Sequence, residues 1–311
     1  MIKYTKKDGT GRGKRIMRKN DAFAGYHPYV TSLYFAVVLA ATLCAEHPVL
    51  LLLSLASALC LCLVRGEKRY VFGICLPVFL LTALINPAFS HAGVTVLAYF
   101  PTGNPLTLES ILYGLRSGMQ LSAVLLWFSY FSAVFSSDKL LFLFGRVSPS
   151  FALLVSVTLR FLPRIGERFR SVREAQTALG EDPLSGSLTK KVRGAVSLFS
   201  SVAAWSLESA VIASDSMRSR GYGTGVRTYH TVYALTRRDK TLLFSLSVIT
   251  VSLVSGFLSG AFSFRWYPYI TDGGYSSLTV ILFLFWAVLC FLPLILYGWE
   301  VRRWKRLRSG I

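Results

Sequence analysis

Six nearly uncharged apolar runs constrain this chain more than any other feature, at about residues 29–45, 49–64, 70–88, 112–135, 242–262 and 278–298. A helix needs on the order of 20 apolar residues to cross the hydrocarbon core of a bilayer, with a lower limit of about 17. A soluble domain of 311 residues would carry about 25% charged residues; here only 16% are charged and 53% are apolar. The expected fold class is all-α, a polytopic membrane protein with about six transmembrane helices.

Cations punctuate the runs. Of 34 Lys and Arg, eight fall in residues 1–20, three at 65–69, sixteen between 138 and 240 and five at 302–308. Only Arg116 and Arg265 lie elsewhere. Lys and Arg gather in cytoplasmic loops, so the net charge of +19 follows membrane topology and requires no nucleic acid partner. The bilayer itself is the expected surrounding, in a multi-pass cell-membrane protein with both termini cytoplasmic. The expected segments are a basic N-terminal stretch 1–28, four spans within 29–135, a cytosolic module 136–240, two spans within 241–298 and a basic tail 299–311. Leu43 before Cys44 is too large for a lipoprotein cleavage site, so 29–45 reads as a retained span.

Between the runs, Glu46-His47-Pro48 reads as a tight hairpin turn. Residues 89–111 lack Lys and Arg and read as an outer loop, whose apolar segment Val94–Phe100 suits a membrane surface. Cys44, Cys60, Cys62, Cys75 and Cys290 sit in apolar runs without ligand spacing and read as packing residues.

The spans hold almost no ionisable groups, which disfavours a self-sufficient ion-driven carrier. His27, His47, His91 and His230 lie at span edges or turns with no motif linking them. No catalytic, metal-binding or cofactor-binding residues are expected, and the chain is not read as an enzyme. A stand-alone membrane carrier or channel is the alternative, marked by flux through liposomes containing this chain alone.

Residues 136–240 differ in kind. Phe161, Leu162, Ile165, Phe169, Val172 and Leu179 recur at helical spacing, with Arg160, Arg164, Arg168, Arg170 and Arg173 between them. This predicts an amphipathic helix over 150–180, bent or interrupted at Pro163 and ended by Gly180. A second helix is predicted over 188–220. Val192, Val196, Phe199, Val202, Leu207 and Val211 form its apolar stripe, beside small residues that permit close helix approach. It ends at Gly221. The following Gly221-Tyr222-Gly223-Thr224-Gly225 lacks the Gly-Lys-Ser/Thr ending of a phosphate loop. It also resembles a potassium filter, but Arg218, Arg220 and Arg227 flank it and place it in the cytosol.

Three stretches carry a resemblance: Leu159-Arg160-Phe161-Leu162-Pro163, Arg173-Glu174-Ala175-Gln176-Thr177-Ala178-Leu179-Gly180, and Ala213-Ser214-Asp215-Ser216-Met217-Arg218-Ser219-Arg220-Gly221-Tyr222-Gly223. They resemble the transmembrane T component of energy-coupling factor (ECF) vitamin and metal transporters, in the cobalt-transporter Q-type family. The resemblance implies a scaffold in which two long coupling helices end in Ala-Arg-Gly motifs. Each motif docks into a groove on one of two cytosolic ABC-type ATPase subunits, where its arginine meets acidic groups. The membrane part holds a small substrate-binding S component, which selects the vitamin or metal ion. On this reading the ATPase-coupling residues are Ala178, Leu179 and Gly180 at the first motif and Ser219, Arg220 and Gly221 at the second. Leu179 stands where arginine is expected, so that contact is apolar or borrows Arg173 or Arg170. The asymmetry implies non-identical ATPase partners.

Overall fold

The computed structural model describes residues 22–90, 93–99, 105–180, 182–183, 185–224, 233–272, 274 and 276–309. Residues 1–21 of the basic N-terminal stretch, and His91, Phe100, Gly225, Arg227 and His230, lie outside the described residues. In chain order the helices are α1 (Pro28–Cys44), α2 (Pro48–Arg65), α3 (Lys68–Phe89), α4 (Leu108–Val134), α5 (Ser137–Val147), α6 (Pro149–Ala178), α7 (Leu188–Ser219), α8 (Arg237–Leu258) and α9 (Ser277–Ser309). Two small antiparallel hairpins pair β1 (Val96–Tyr99) with β2 (Pro105–Thr107) and β3 (Phe264–Arg265) with β4 (Thr271–Asp272). The chain is an all-α polytopic membrane protein, and it divides into two compact units, Met1–Ser136 with Ala234–Ile311, and Ser137–Tyr233.

Six described helices are long and apolar enough to cross a membrane: α2, α3, α4, α7, α8 and the Ser277–Arg303 part of α9. The set differs from the six runs in two ways. α1 is a shorter apolar helix of 17 residues, and α7 qualifies although its sequence reads as part of the module.

The first unit begins with two like-built helix starts. His27 and His47 each precede a proline, which favours extended backbone at the preceding residue. Each histidine Nδ1 accepts a backbone N–H two residues on, from Tyr29 and Val49, at 3.2 Å. The imidazoles thus serve as N-caps. At the other end of α1, two α4 side chains one turn apart close its last carbonyls. Arg116 Nη2 donates to Ala45 at 3.1 Å, and Gln120 Nε2 donates to Thr42 at 3.2 Å and Leu43 at 2.6 Å. Arg116, counted among the two stray cations, is therefore a helix C-terminal cap favoured by the helix dipole. The core holds Tyr34, Phe35, Leu50, Leu51, Trp127, Trp286 and Leu289. Both buried indoles keep their N–H bonded, Trp127 to Ser54 Oγ at 2.9 Å and Trp286 to the Leu50 carbonyl at 3.0 Å.

α3 widens into a π-helical turn at Val71–Cys75, and Ser122 Oγ of α4 donates to the Cys75 carbonyl at 3.3 Å. Further along, Gly114 and Gly118 of α4 lie against the α3 backbone. A Cβ on Gly114 would fall 2.8 Å from the Ala83 carbonyl oxygen, and one on Gly118 would fall 2.9 Å from that of Phe79. Pro87 has no N–H to bond the Ala83 carbonyl in the helix. The glycine lets α4 approach that freed oxygen, a site for a weak Cα–H···O contact. The opposite side of α3 is exposed at Leu80, Leu81, Leu84 and Phe89, the surface that a bilayer solvates.

Several expectations are corrected. α8 begins at Arg237 rather than 242, so three cations enter its first turns. A capping box offsets them: Asp239 and Thr236 bond reciprocally, and Asp239 also accepts from the His27 N–H at 3.3 Å. α9 continues through the basic tail to Ser309, because Lys and Arg are good helix formers and favour a helix C-terminus. Cys44 and Cys60 are exposed, while Cys62, Cys75 and Cys290 are buried. The outer loop 89–111 also holds a strand, β1, at Val96–Tyr99.

In the second unit, α6 runs unbroken through Pro163. The amphipathic α5 was not foreseen. It packs on α6, with Phe144 edge-on to Phe151 at 5.4 Å. α6 also packs on α7, where Leu198 and Val202 are buried and Arg168 lies over the Trp205 ring at 5.7 Å. Gly194 admits the α6–α7 connection, since a Cβ there would fall 2.1 Å from the Pro183 carbonyl oxygen. Gly194→Ala is expected to lower the stability of this unit by about 1–3 kcal/mol, the usual cost of overpacking. Limited proteolysis of the full chain in detergent would register it as faster cleavage between α6 and α7.

Candidate docking ends of the helical module

The ends of α6 and α7 are built alike. α6 closes at Leu179 (φ −79°, ψ 2°) and α7 at Arg220 (φ −83°, ψ 7°). The next residue in each case is a left-handed glycine, Gly180 at φ +88° and Gly221 at φ +75°. Only glycine adopts that conformation without a steric cost. The Gly180 N–H donates to Thr177 and the Gly221 N–H to Arg218, each at 3.0 Å. At α7 the Tyr222 N–H also donates to Met217 at 3.0 Å, completing a Schellman motif. Near each cap a hydroxyl turns back onto its helix, one residue before the cap in α7 and two before it in α6. Ser219 Oγ donates to the Asp215 carbonyl at 2.9 Å, and Thr177 Oγ1 to that of Arg173 at 2.8 Å.

Leu179 and Arg220 therefore occupy the same backbone position at two helix ends. Ala178, Leu179 and Gly180 form one end, and Ser219, Arg220 and Gly221 the other; all six are exposed. The exposure of Leu179 is 84%, against an ordinary preference for burial. Covering a leucine side chain is worth about 1.5–3 kcal/mol, so this end favours a partner that takes it out of water.

Arg173, one of the two cations considered as substitutes, lies beside that end. Its Nε bonds Asp182 Oδ1 at 3.4 Å across the Gly180 turn. Arg170, Arg173, Glu174, Thr177 and Asp182 line an open cleft of about 350 Å³. Helical spacing from the sequence places Arg170, Arg173, Glu174 and Thr177 near one another. Asp182 was missed, because it returns to Arg173 only through the left-handed turn. Lys139 on α5 also went unremarked. It is buried, its Nζ has no hydrogen-bond partner among the described residues, and burial pushes its amine down to about 8.

Comparison with known proteins adds to this geometry. The profile of the CbiQ family, described as cobalt transport protein, matches residues 29–231. The energy-coupling factor transporter transmembrane protein EcfT of Lactococcus lactis subsp. cremoris (strain MG1363) is 30% identical over 103 residues, 33% of this chain and 39% of that protein. EcfT of Bacillus subtilis (strain 168) is 31% identical over 103 residues, with the same shares of 33% and 39%. A Bifidobacterium longum (strain NCC 2705) protein named as an ABC transporter ATP-binding protein is 30% identical over 105 residues, 34% of this chain and 13% of that protein. The chain thus spans well under half the length of these curated relatives. The family match is broader and runs from the start of α1 past both glycine-ended helices. On that match, the chain belongs to the cobalt transport protein family.

Proposed function

We propose that this chain is the transmembrane T component of an ECF-type importer. It would couple ATP hydrolysis by two separate ATPase subunits to movement of a small membrane S component that binds a vitamin or metal ion. The observation that carries the reading is the pair of like-built, exposed helix ends at Leu179-Gly180 and Arg220-Gly221. A coupling scaffold needs two rigid points that can each seat in a partner, and a capped helix end fixes its last side chain in direction. The names of the EcfT relatives support the class. A relative named for ATP binding contains a stretch similar to this chain, whereas this chain carries no Gly-Lys-Ser/Thr phosphate loop.

On this reading 136–240 is the cytosolic module and includes α7. The uncharged middle of α7 lies between Lys190, Lys191 and Arg193 on one side and Arg218 and Arg220 on the other, and α7 packs within one unit against the basic α6. Residues 29–135 and 241–298 would supply the spans, and the cation distribution supports cytoplasmic placement of both termini. Arg220 meets an acidic groove on one ATPase. At the other end Leu179 offers an apolar contact, and Arg173, steered by Asp182, supplies the nearby cation. The two ATPases are then non-identical.

Affinity purification after mild detergent extraction tests the assignment: two ATPases and a small hydrophobic protein are expected to co-purify. Substrate flux through liposomes containing this chain alone would instead establish a carrier or channel. Leu179→Arg puts the expected motif residue in place of the apolar contact, so assembly and uptake are expected to be kept. Failure of that variant to assemble would show that the first end must be apolar.

A further inference from the structure

The first unit carries an apolar surface that no span accounts for. No Asp, Glu, Lys or Arg occurs from Val71 through Leu108. The charge-free stretch therefore continues past the end of α3 at Phe89 and through the β1–β2 hairpin. Within the hairpin, Val94 is 54% exposed, Val96 43%, Leu97 56% and Tyr99 72%. A bulge at Leu97 interrupts the alternation after Val96, but Ala98 and Tyr99 pair in step with Leu106 and Pro105 and so point to opposite faces. All four residues of β1 are exposed, so an uncovered apolar or aromatic side chain lies on each of the two faces. A water-exposed loop would put polar groups on at least one of them.

The root of the hairpin is fixed to the membrane helices. β2 ends at Thr107 and α4 begins at Leu108, with no residue between. The Leu108 N–H donates to the Thr95 carbonyl at 3.0 Å. The Thr95 N–H donates to the Glu109 carboxylate at 3.3 Å, and Thr95 Oγ1 bonds the same group. Gly93 makes room for this bond, since a Cβ there would fall 2.6 Å from Glu109 Oε2. A hairpin pinned to the first turn of a span stays at the level where that span leaves the bilayer. In sequence it follows the exposed apolar side of α3, Leu80 to Phe89.

We propose that the β1–β2 hairpin is a membrane-interface anchor, inserted at headgroup depth with Val94, Val96, Leu97 and Tyr99 against lipid. The depth follows from the backbone. Ladder bonds to β2 satisfy one edge of β1, but its other edge presents polar groups that hydrocarbon does not solvate. Headgroups and their water do. Tyr99 suits the same layer, where amphipathic aromatic rings concentrate.

The test uses the full chain reconstituted in liposomes, with Cys44→Ser and Cys60→Ser removing the two exposed cysteines. A small fluorophore is attached at Leu97→Cys, and separately at Val96→Cys. Lipids carry a nitroxide either on the headgroup or at the acyl chain end. The expected result at both positions is quenching at least about twofold stronger from the headgroup nitroxide, as for groups held at the headgroup–acyl boundary. Quenching by aqueous iodide without quenching by lipid would place the hairpin in water and overturn the proposal. Stronger quenching from the chain end would overturn the depth. Loss of lipid quenching once partner proteins are assembled on the chain would assign the surface to a protein contact and overturn it as well. None of these outcomes depends on the coupling role.

Discussion

Arg220→Glu is expected to abolish ATP-driven uptake while leaving the chain inserted and folded. The side chain is exposed at the cap of α7, so the substitution removes no packing within the unit. Its backbone torsions suit any L-residue. A negative charge at a helix C-terminus costs only about 0.3–1 kcal/mol. On the proposed coupling role, the penalty falls in the docked state, where a guanidinium facing acidic groups would become a carboxylate facing them. Breaking a desolvated charge pair costs about 2–5 kcal/mol or more, which corresponds to roughly thirtyfold to several-thousandfold in affinity at about 1.4 kcal/mol per decade. Reversal adds repulsion to that loss. Uptake by the assembled transporter and co-purification of the ATPases are the paired measurements. Full uptake with normal ATPase recovery would remove Arg220 from the coupling role. Gly221→Ala probes the same end through the backbone, since the positive φ that ends the helix there disfavours any side chain.

Gly118→Leu is expected to produce the largest structural effect. The first added atom already falls 2.9 Å from the Phe79 carbonyl oxygen and 3.0 Å from the Phe79 ring. Overpacking in a core costs about 1–3 kcal/mol when side chains can shift. Here the obstacle includes helix backbone, so α3 and α4 must separate as bodies. That separation also breaks the Ser122 bond to the Cys75 carbonyl in the π-helical turn. The predicted readout is a lower melting temperature in detergent and loss of cross-linking between cysteines placed on facing positions of α3 and α4. Gly73→Ala is the control, because a Cβ there meets nothing within 4 Å. Equal melting of the two variants would refute the close-approach argument.

The coarse plan of the molecule was readable because hydrophobic burial leaves a periodic trace. The apolar runs match helices, and the stretches 150–180 and 188–220 match α6 and α7 to within two residues. Both glycine helix ends were equally plain, since a left-handed cap leaves little choice of residue. What periodicity does not record is the partner of a side chain far along the chain. Arg116 looked like a stray cation until α4 set it against the end of α1. Gly114 and Gly118 look like weak helix residues until α3 lies beside them. The Arg173–Asp182 contact depends on a turn that has no period at all. α5 was within reach, because Leu140, Leu141 and Phe144 are spaced for one helical face, but its eleven residues gave a short signal. Pro163 misled in the other direction, its cost overridden by a 30-residue helix that packs on both sides of it.

The clasp of Arg116 and Gln120 on α1 has a consequence for how the chain is made. The carbonyls that they close belong to a helix made before α4, and Arg116 lies 71 residues downstream of Ala45. During synthesis α1 and α2 therefore enter the bilayer with those oxygens still open, and water, lipid headgroups or the insertion machinery must serve them. The first hairpin matures only when α4 arrives with its guanidinium and amide. Translation stalled between residues 65 and 116 would leave an inserted but unlocked hairpin, an early foothold that later synthesis converts into part of the finished unit.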